Sequence, residues 1–264
     1  MATVLSQYDC GVFFEQLRVA RDRLVILDYD GTIAPFSTDR GHALPYSSIP
    51  DLLDCMVSTC RTRVVLVTGR PAREIPPLLG LMPHPEIWGV HGLERLHENG
   101  SYELAFMSQT SQEALAAAIK LLEEAGLGEL CETKPGAIAV HWRGMNAVII
   151  EEIRTNAYQV LAPVACEANL LLAEFEGGLE LRVRAACKGD AVRTLISEID
   201  EAVPVAYLGD DLTDENAFRA LKGRGMSVLV RPEYRATAAD LWLRPPDEVL
   251  QFFHDWVHVC RGGR

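Results

Sequence analysis

What most constrains this chain is a set of apolar runs that each stop abruptly at polar or glycine residues. Leu24-Val-Ile-Leu27 ends in Asp28, Arg63-Val-Val-Leu-Val67 ends in Thr68-Gly69, and Val205-Ala-Tyr-Leu208 ends in Gly209-Asp210-Asp211. Continuous apolar runs of this length suit strands buried on both faces, as in a parallel sheet. Helical stretches fall between them, at Ile49–Cys60, Lys188–Glu198 and Asp214–Leu221. Pro245-Pro246-Asp247 opens a last helix reaching about His258, with proline in its first turn. This alternation predicts an α/β fold, a Rossmann-like core around a mainly parallel sheet. In such sheets ligands bind beyond the carboxyl ends of the strands. Three strand ends therefore deliver polar side chains to one crevice. A hydrophobic fraction of 48% over 264 residues is enough to fill the core.

The middle of the chain has a different period. Ser111–Ala125, rich in Ala, Leu, Glu and Lys, predicts a helix. In Ile138-Ala-Val-His-Trp-Arg143, residues Ile138, Val140 and Trp142 fall on one side and Ala139, His141 and Arg143 on the other. In Leu179-Glu-Leu-Arg-Val-Arg184, residues Leu179, Leu181 and Val183 oppose Glu180, Arg182 and Arg184. A second helix, about Asn146 to Glu167, separates the two. Period-two alternation marks strands buried on one side. The expectation is an inserted α+β cap of residues 108–184, between core segments 1–107 and 185–264. One face of its sheet packs on helices, and the polar face is free to contact a ligand.

Asp28-Tyr-Asp30-Gly31-Thr32 is the strongest chemical signal. A buried strand avoids ending in clustered carboxylates unless something neutralises them, and Mg2+ takes carboxylate, carbonyl and water oxygens. Gly31 lets the backbone turn sharply enough for Asp30 to point back toward the strand end. The structural alternative is a strand-to-loop turn with a helix cap. Thr68-Gly69-Arg70 offers a hydroxyl and backbone N–H groups suited to phosphate oxygens, although Thr-Gly is also an ordinary turn. Lys188 could neutralise phosphate or could be a plain surface lysine. Gly209-Asp210-Asp211-Leu-Thr-Asp214-Glu215 puts four acidic residues within six positions. Asp214 and Glu215 suit the start of a helix, whereas the adjacent Asp210 and Asp211 call for a counter-ion.

The order D-x-D-G-T, T-G-R, K, G-D-D-x-T-D-E resembles the haloacid-dehalogenase-like hydrolase superfamily. Leu27–Thr32, Val67–Arg70, Gly89-Val-His-Gly-Leu-Glu94 and Gly209–Phe218 together look like trehalose-6-phosphate phosphatases. His141-Trp-Arg143 resembles that family's His-Tyr-Arg in the cap, and Leu243-Arg-Pro-Pro-Asp-Glu-Val249 its C-terminal segment. The resemblance implies a magnesium-dependent phosphatase acting on a small sugar phosphate. It makes Asp28 the nucleophile and Asp30 the general acid and base. It assigns Mg2+ to Asp28, the carbonyl of Asp30, and Asp210, with Asp211 or Asp214 completing or orienting the shell. Thr68, Gly69 and Lys188 would hold the phosphoryl oxygens. Arg70, His91, Glu94, His141, Arg143, Glu180 and Arg182 would meet the substrate, and cap closure would exclude water. Other sugar phosphates stay open as substrates: sucrose phosphate, glucosylglycerate or mannosylglycerate phosphate, and hexose phosphates. So do a phosphomutase and a non-catalytic sugar-phosphate sensor.

The net charge of −12 argues against nucleic-acid and anionic-membrane partners. Seven cysteines, an odd number with no C-x-x-C pair, argue against a disulfide framework or structural zinc. No secretory signal or membrane span is visible. The expectation is a cytoplasmic protein, taken as a monomer, whose partner is a small-molecule sugar phosphate.

Overall fold

A computed structural model describes residues 3–4, 10–37, 40–175 and 177–262. The chain divides into two compact units, Met1–Glu103 with Cys187–Arg264, and Leu104–Ala186. No helix among the described residues is long and apolar enough to cross a membrane.

In the larger unit the elements are β1 (Thr3–Val4), α1 (Cys10–Val19), β2 (Arg23–Leu27), α2 (Ile49–Ser58), β3 (Thr62–Val67), α3 (Ile75–Leu79), β4 (Glu86–Gly89), β5 (Glu94–Leu96) and β6 (Tyr102–Leu104). In the smaller unit come α4 (Gln109–Glu124), β7 (Cys131–Lys134), β8 (Ala137–His141), α5 (Ala147–Glu167), β9 (Leu171–Phe175) and β10 (Gly178–Arg182). The chain then returns to the larger unit with α6 (Lys188–Ser197), β11 (Val205–Gly209), α7 (Glu215–Leu221), β12 (Met226–Val230), β13 (Leu241–Leu243) and α8 (Asp247–Gly262).

The larger sheet runs β1-β13-β12-β11-β2-β3-β4-β5-β6. Its centre, from β13 to β4, is parallel; β1 and β5 pair antiparallel at the flanks. Alternation along each apolar strand feeds two cores. Val25 and Leu27 join Phe13, Leu53, Phe253 and Trp256 on one side. Leu24 and Ile26 join Val65, Val192, Tyr207 and Phe218 on the other. Helices α1, α2 and α8 thus cover one face, and α6 and α7 the other. The register sets the chemistry: Leu27 of β2 pairs with Leu66 of β3 and with Leu208 of β11. The residues just past these positions, Asp28, Thr68 and Asp210, emerge at one sheet edge. The chain leaves β2 for β3 on one side and meets β11 on the other, a topological switch point of the kind that binds ligands in open α/β sheets.

The smaller unit is an antiparallel sheet, β7-β8-β10-β9, with α4 and α5. Both helices are capped as their sequences ask. Ser108 accepts from Ser111 N ahead of α4, and Asn146 accepts from Val148 N and Ile149 N ahead of α5. Ile138 and Val140 lie opposite Leu181 and Leu179 and are fully buried. Two expectations need correction. Strand β8 stops at His141, so Trp142 and Arg143 do not continue the alternation. Trp142 N instead donates to Gly177 O and Met145 N to Trp142 O, which turns the chain. On the polar face, expected to be free to contact a ligand, Glu180 and Arg182 are buried. Alternation reports which way a side chain points, and here the charged residues bury by pairing with one another.

Candidate active site

Asp28 extends the β2 ladder by one bond, with its N–H donating to Leu208 O at 2.9 Å. The chain then turns: Gly31 N donates to Ala34 O, while Thr32, Ile33 and Ala34 N all point at Tyr29 O. Gly31 sits at φ +82°, and a Cβ there would lie 2.5 Å from Asp210 Oδ2. Glycine is thus required both by the backbone and by the closeness of the opposing carboxylate. Asp28 is buried; its Oδ1 accepts from Lys188 Nζ at 2.6 Å and its Oδ2 lies 3.5 Å from Thr32 Oγ1. Asp30 is partly exposed and held by Arg70 through two parallel bonds, Nε–Oδ2 at 2.6 Å and a second guanidinium N–H to Oδ1 at 2.7 Å. This fork occupies Arg70, which is itself buried.

Asp28, Asp210 and Asp214 offer carboxylate oxygens within 4.8 Å of one another, a group that could hold a metal ion. The three are not equivalent. Asp214 already accepts four donors: Lys188 Nζ and Tyr207 OH on Oδ1, and Asp210 N and Asp211 N on Oδ2. A carboxylate has about four lone-pair sites, so Asp214 is saturated and serves to hold Lys188 and the loop. Asp211 points elsewhere and caps the next turn by accepting from Leu212 N at 2.7 Å. Asp210 is buried, and its Oδ2 accepts no hydrogen bond among the described residues. A buried carboxylate oxygen without a donor, within 4.8 Å of another carboxylate, is a group that a cation could satisfy. The donor set fits a hard, oxygen-seeking divalent ion.

The electrostatics agree. Burial pushes the Asp28 carboxyl up to about 7; Lys188 opposes the rise and Asp214 adds to it. Burial, then the Asp28 charge, raises Asp210 well above its ordinary range. Burial alone would lower the Lys188 ammonium, but Asp214 and Asp28 outweigh it and hold it above the usual lysine range. With one ammonium among three carboxylates, the pocket retains a deficit of positive charge.

Thr68 is buried, and its Oγ1 accepts from Arg70 N at 3.2 Å. The His91 ring packs over Gly69, and His91 N donates to Thr68 O at 2.9 Å, from a left-handed backbone at φ 58°. Glu94 has both oxygens engaged, one by Ala72 N at 2.7 Å and the other by Tyr102 OH at 2.6 Å. It fastens the loop after β3 to the strands beyond it. In the smaller unit, His141 Nε2 lies 2.8 Å from Glu132, and Lys134 Nζ lies 3.0 Å from Glu180 and 3.6 Å from Glu132. Arg182 lies 3.5 Å from Glu180 and donates to Ala186 O. Arg143 packs against Gly177.

Several residues of these contacts escaped the sequence reading. Glu132 and Lys134 alternate on a strand and carry a period-two signal that was there to be read. Tyr207 sits inside an apolar run, where a phenol looks like one more core side chain. Arg235, which donates to Asp211 O at 2.8 Å, comes from a loop with no periodic signal.

A family model described as trehalose-phosphatase matches residues 26–244. The trehalose-phosphate phosphatase of Mycobacterium marinum is 30% identical over 248 residues, covering 86% of this chain and 60% of its own length. A probable trehalose-phosphate phosphatase of Oryza sativa is 29% identical over 272 residues, covering 89% of this chain and 69% of its own. The chain thus spans about 60% of the length of the mycobacterial relatives. Among solved structures, the C-terminal domain of C. albicans trehalose-6-phosphate phosphatase superposes with a TM-score of 0.80 at 21% identity, over 98% of this chain and 99% of that one. The C-terminal domain of a Candida albicans trehalose synthase regulatory protein shares the fold, with a TM-score of 0.71 at 15% identity over 93% of this chain and 98% of that one.

Proposed function

Because the chain belongs to the trehalose-phosphatase family, we propose that it hydrolyses trehalose 6-phosphate to trehalose and phosphate. The observation that carries this reading is the contact of Asp28 with Lys188 beside the bare oxygen of Asp210. Asp28 and Asp210 would hold a Mg2+ ion, with Asp214 keeping Lys188 and the loop in place. When bound, the ion supplies charge neutralisation for the transferring phosphoryl group.

The Asp28 carboxylate attacks phosphorus as the sugar oxygen departs, leaving an aspartyl phosphate on the chain. Asp30 gives its proton to that oxygen, then takes one from the water that attacks phosphorus and frees Asp28. A protonated Asp30 cannot accept from Arg70 at both oxygens with full strength, so donation requires it to turn partly out of the fork. Lys188, bridging Asp28 and Asp214, carries the fixed positive charge for the phosphoryl oxygens. Thr68 and the Gly69 N–H stand at the neighbouring strand end for the same task. Sugar recognition is assigned to the charged residues of the smaller unit: His141, Glu180 and Arg182, with Glu132 and Lys134 added. Residence in the cytoplasm belongs to the same proposal and is supported by seven cysteines that form no disulfide.

A non-catalytic reading has one point in its favour: a regulatory domain shares the fold. Asp28 in contact with Lys188 and within 4.8 Å of an Asp210 carboxylate oxygen favours the enzyme. The test is phosphate release from a panel of sugar phosphates with Mg2+, assaying free trehalose alongside. Preference for trehalose 6-phosphate supports the reading; release from other sugars alone overturns the substrate, and release from none overturns the activity.

A further inference from the structure

The geometry points to Arg235, held by Glu215, as a positioning residue for the cation site: it fixes the main chain around Asp210 so that the carboxylate stands ready for the ion. The inference rests on the proposed magnesium-dependent phosphatase, and concerns how this chain prepares that site.

Asp210 is tied at both of its peptide groups. Its N–H donates to Asp214 Oδ2 at 3.1 Å. Its carbonyl accepts from two arginines of the segment after β12, Arg231 and Arg235, each at 3.3 Å. Arg235 also donates to Asp211 O at 2.8 Å and to Ala236 O at 3.1 Å. One guanidinium thus spans consecutive carbonyls of the loop that follows β11. Both bonds leave the same terminal nitrogen, Nη2, while Nη1 turns to Glu215 and to Ala236 O. With the backbone fixed, the only freedom left to Asp210 is its side-chain torsions, and Oδ2 is the atom left without a donor. Ordering of the ligand is thereby completed on folding and is not charged against cation binding.

A cationic side chain this close to a cation site would ordinarily repel the ion. Glu215 answers that. It pairs with Arg235 and also accepts from Thr237 Oγ1 at 2.7 Å and Ala238 N at 2.8 Å. The pair is shielded from solvent, with Arg235 19% and Glu215 10% exposed at the side chain, so the cancellation is little weakened by water. The two residues act as a neutral clamp, with Arg235 supplying geometry and Glu215 removing the charge that geometry brings. A purely structural role would ask only for the carbonyl bonds. The clamp further predicts that charge imbalance in the pair reaches the metal.

The test is Mn2+ binding to the metal-free full chain, followed by electron paramagnetic resonance, with trehalose 6-phosphate hydrolysis measured at saturating Mg2+. Arg235→Ala should raise the half-saturating Mn2+ concentration by about tenfold, as expected when a residue that orients a metal ligand is removed, with KM for the sugar phosphate changed by less than about twofold. Arg235→Lys should fall between Ala and wild type, and it covers the case in which the alanine variant fails to fold. Glu215→Gln should weaken Mn2+ binding at least as much as Arg235→Ala. The double variant should bind no more weakly than Glu215→Gln alone, because it removes the uncompensated charge. Arg224→Lys, which disturbs guanidinium bonds to Val203 O and Asp200 O, should lower the melting temperature without moving the Mn2+ midpoint. Unchanged Mn2+ midpoints in the Arg235 and Glu215 variants of a protein that binds metal and hydrolyses substrate would overturn the clamp alone. An equal shift in Arg224→Lys would overturn it as general destabilisation. Absence of Mn2+ binding by the wild-type protein would overturn both the clamp and the function beneath it.

Discussion

Asp28, Asp210 and Asp214 place three buried carboxylates around the single ammonium of Lys188, and the imbalance has a measurable consequence. Folding raises Asp28 from 3.8 to about 7 and moves Asp210 in the same direction. The metal-free protein therefore binds more protons than the unfolded chain between about pH 4 and pH 7, so this contribution to stability is present at low pH and lost as pH rises through that window. A divalent cation competes with those protons. The rise in melting temperature on adding Mg2+ should be larger at about pH 7.5 than at about pH 5.5; an equal or smaller rise would mean that these carboxylates are not the ligands. Asp28→Asn should cost about 10⁴-fold or more in turnover, yet leave the metal-free protein as stable as wild type near neutral pH, because a neutral amide suits the buried site. Asp28, Asp30 and Asp210 were legible in the sequence because carboxylates at the end of an apolar strand have few other reasons to be there. The division between Asp211 and Asp214 was not, since it depends on which carboxylate meets the loop N–H groups. Glu94, expected to meet sugar, is engaged by Ala72 and Tyr102, contacts that no local pattern announces.

Among the elements, α8 illustrates how packing extends what propensity begins. The sequence reading ended it near His258, and it continues to Gly262 because Trp256, Val257 and Cys260 are buried against the larger sheet. Trp256 packs edge-on to Phe13, and its indole N–H donates to Thr62 Oγ1 at 3.1 Å. Trp256→Ala should cost about 3–5 kcal/mol in urea unfolding; a loss under about 1 kcal/mol would show that α8 is not integral to that core. In the smaller unit, Lys134 and Glu180 have side chains only 6% exposed. Lys134→Met would remove one of the two cations that meet the buried Glu180 carboxylate, Arg182 being the other, and should destabilise by about 1–3 kcal/mol in urea unfolding. The long strands and helices were readable from period and length. The three-residue strands β5, β6 and β13 were not, because a segment that short has no period and exists only through its neighbours.

For the whole molecule, net charge and the proposed function pull in opposite directions. A chain of net charge −12 repels a sugar phosphate at long range. Attraction must then come from Lys188 and a bound cation within the site. Two outcomes follow: removing divalent ions with a chelator should abolish turnover, and raising salt from low to moderate should increase kcat/KM by up to about twofold as repulsion is screened. A fall with salt would indicate that steering by a basic surface had been overlooked. The α/β architecture and the site-bearing edge of its sheet were legible because strand ends, once ordered by register, determine where polar residues gather. The partnership of Arg235 with the Asp210 loop is long-range and stayed hidden until the chain was folded. The proposed mechanism turns on Asp28 as the nucleophile. Its most direct test is acid quenching during turnover of radiolabelled trehalose 6-phosphate, with counting of label on the denatured protein. The mechanism predicts a hydroxylamine-labile label on wild type and neither label nor turnover in Asp28→Asn. Turnover retained by Asp28→Asn, or label fixed to a different residue, would contradict it.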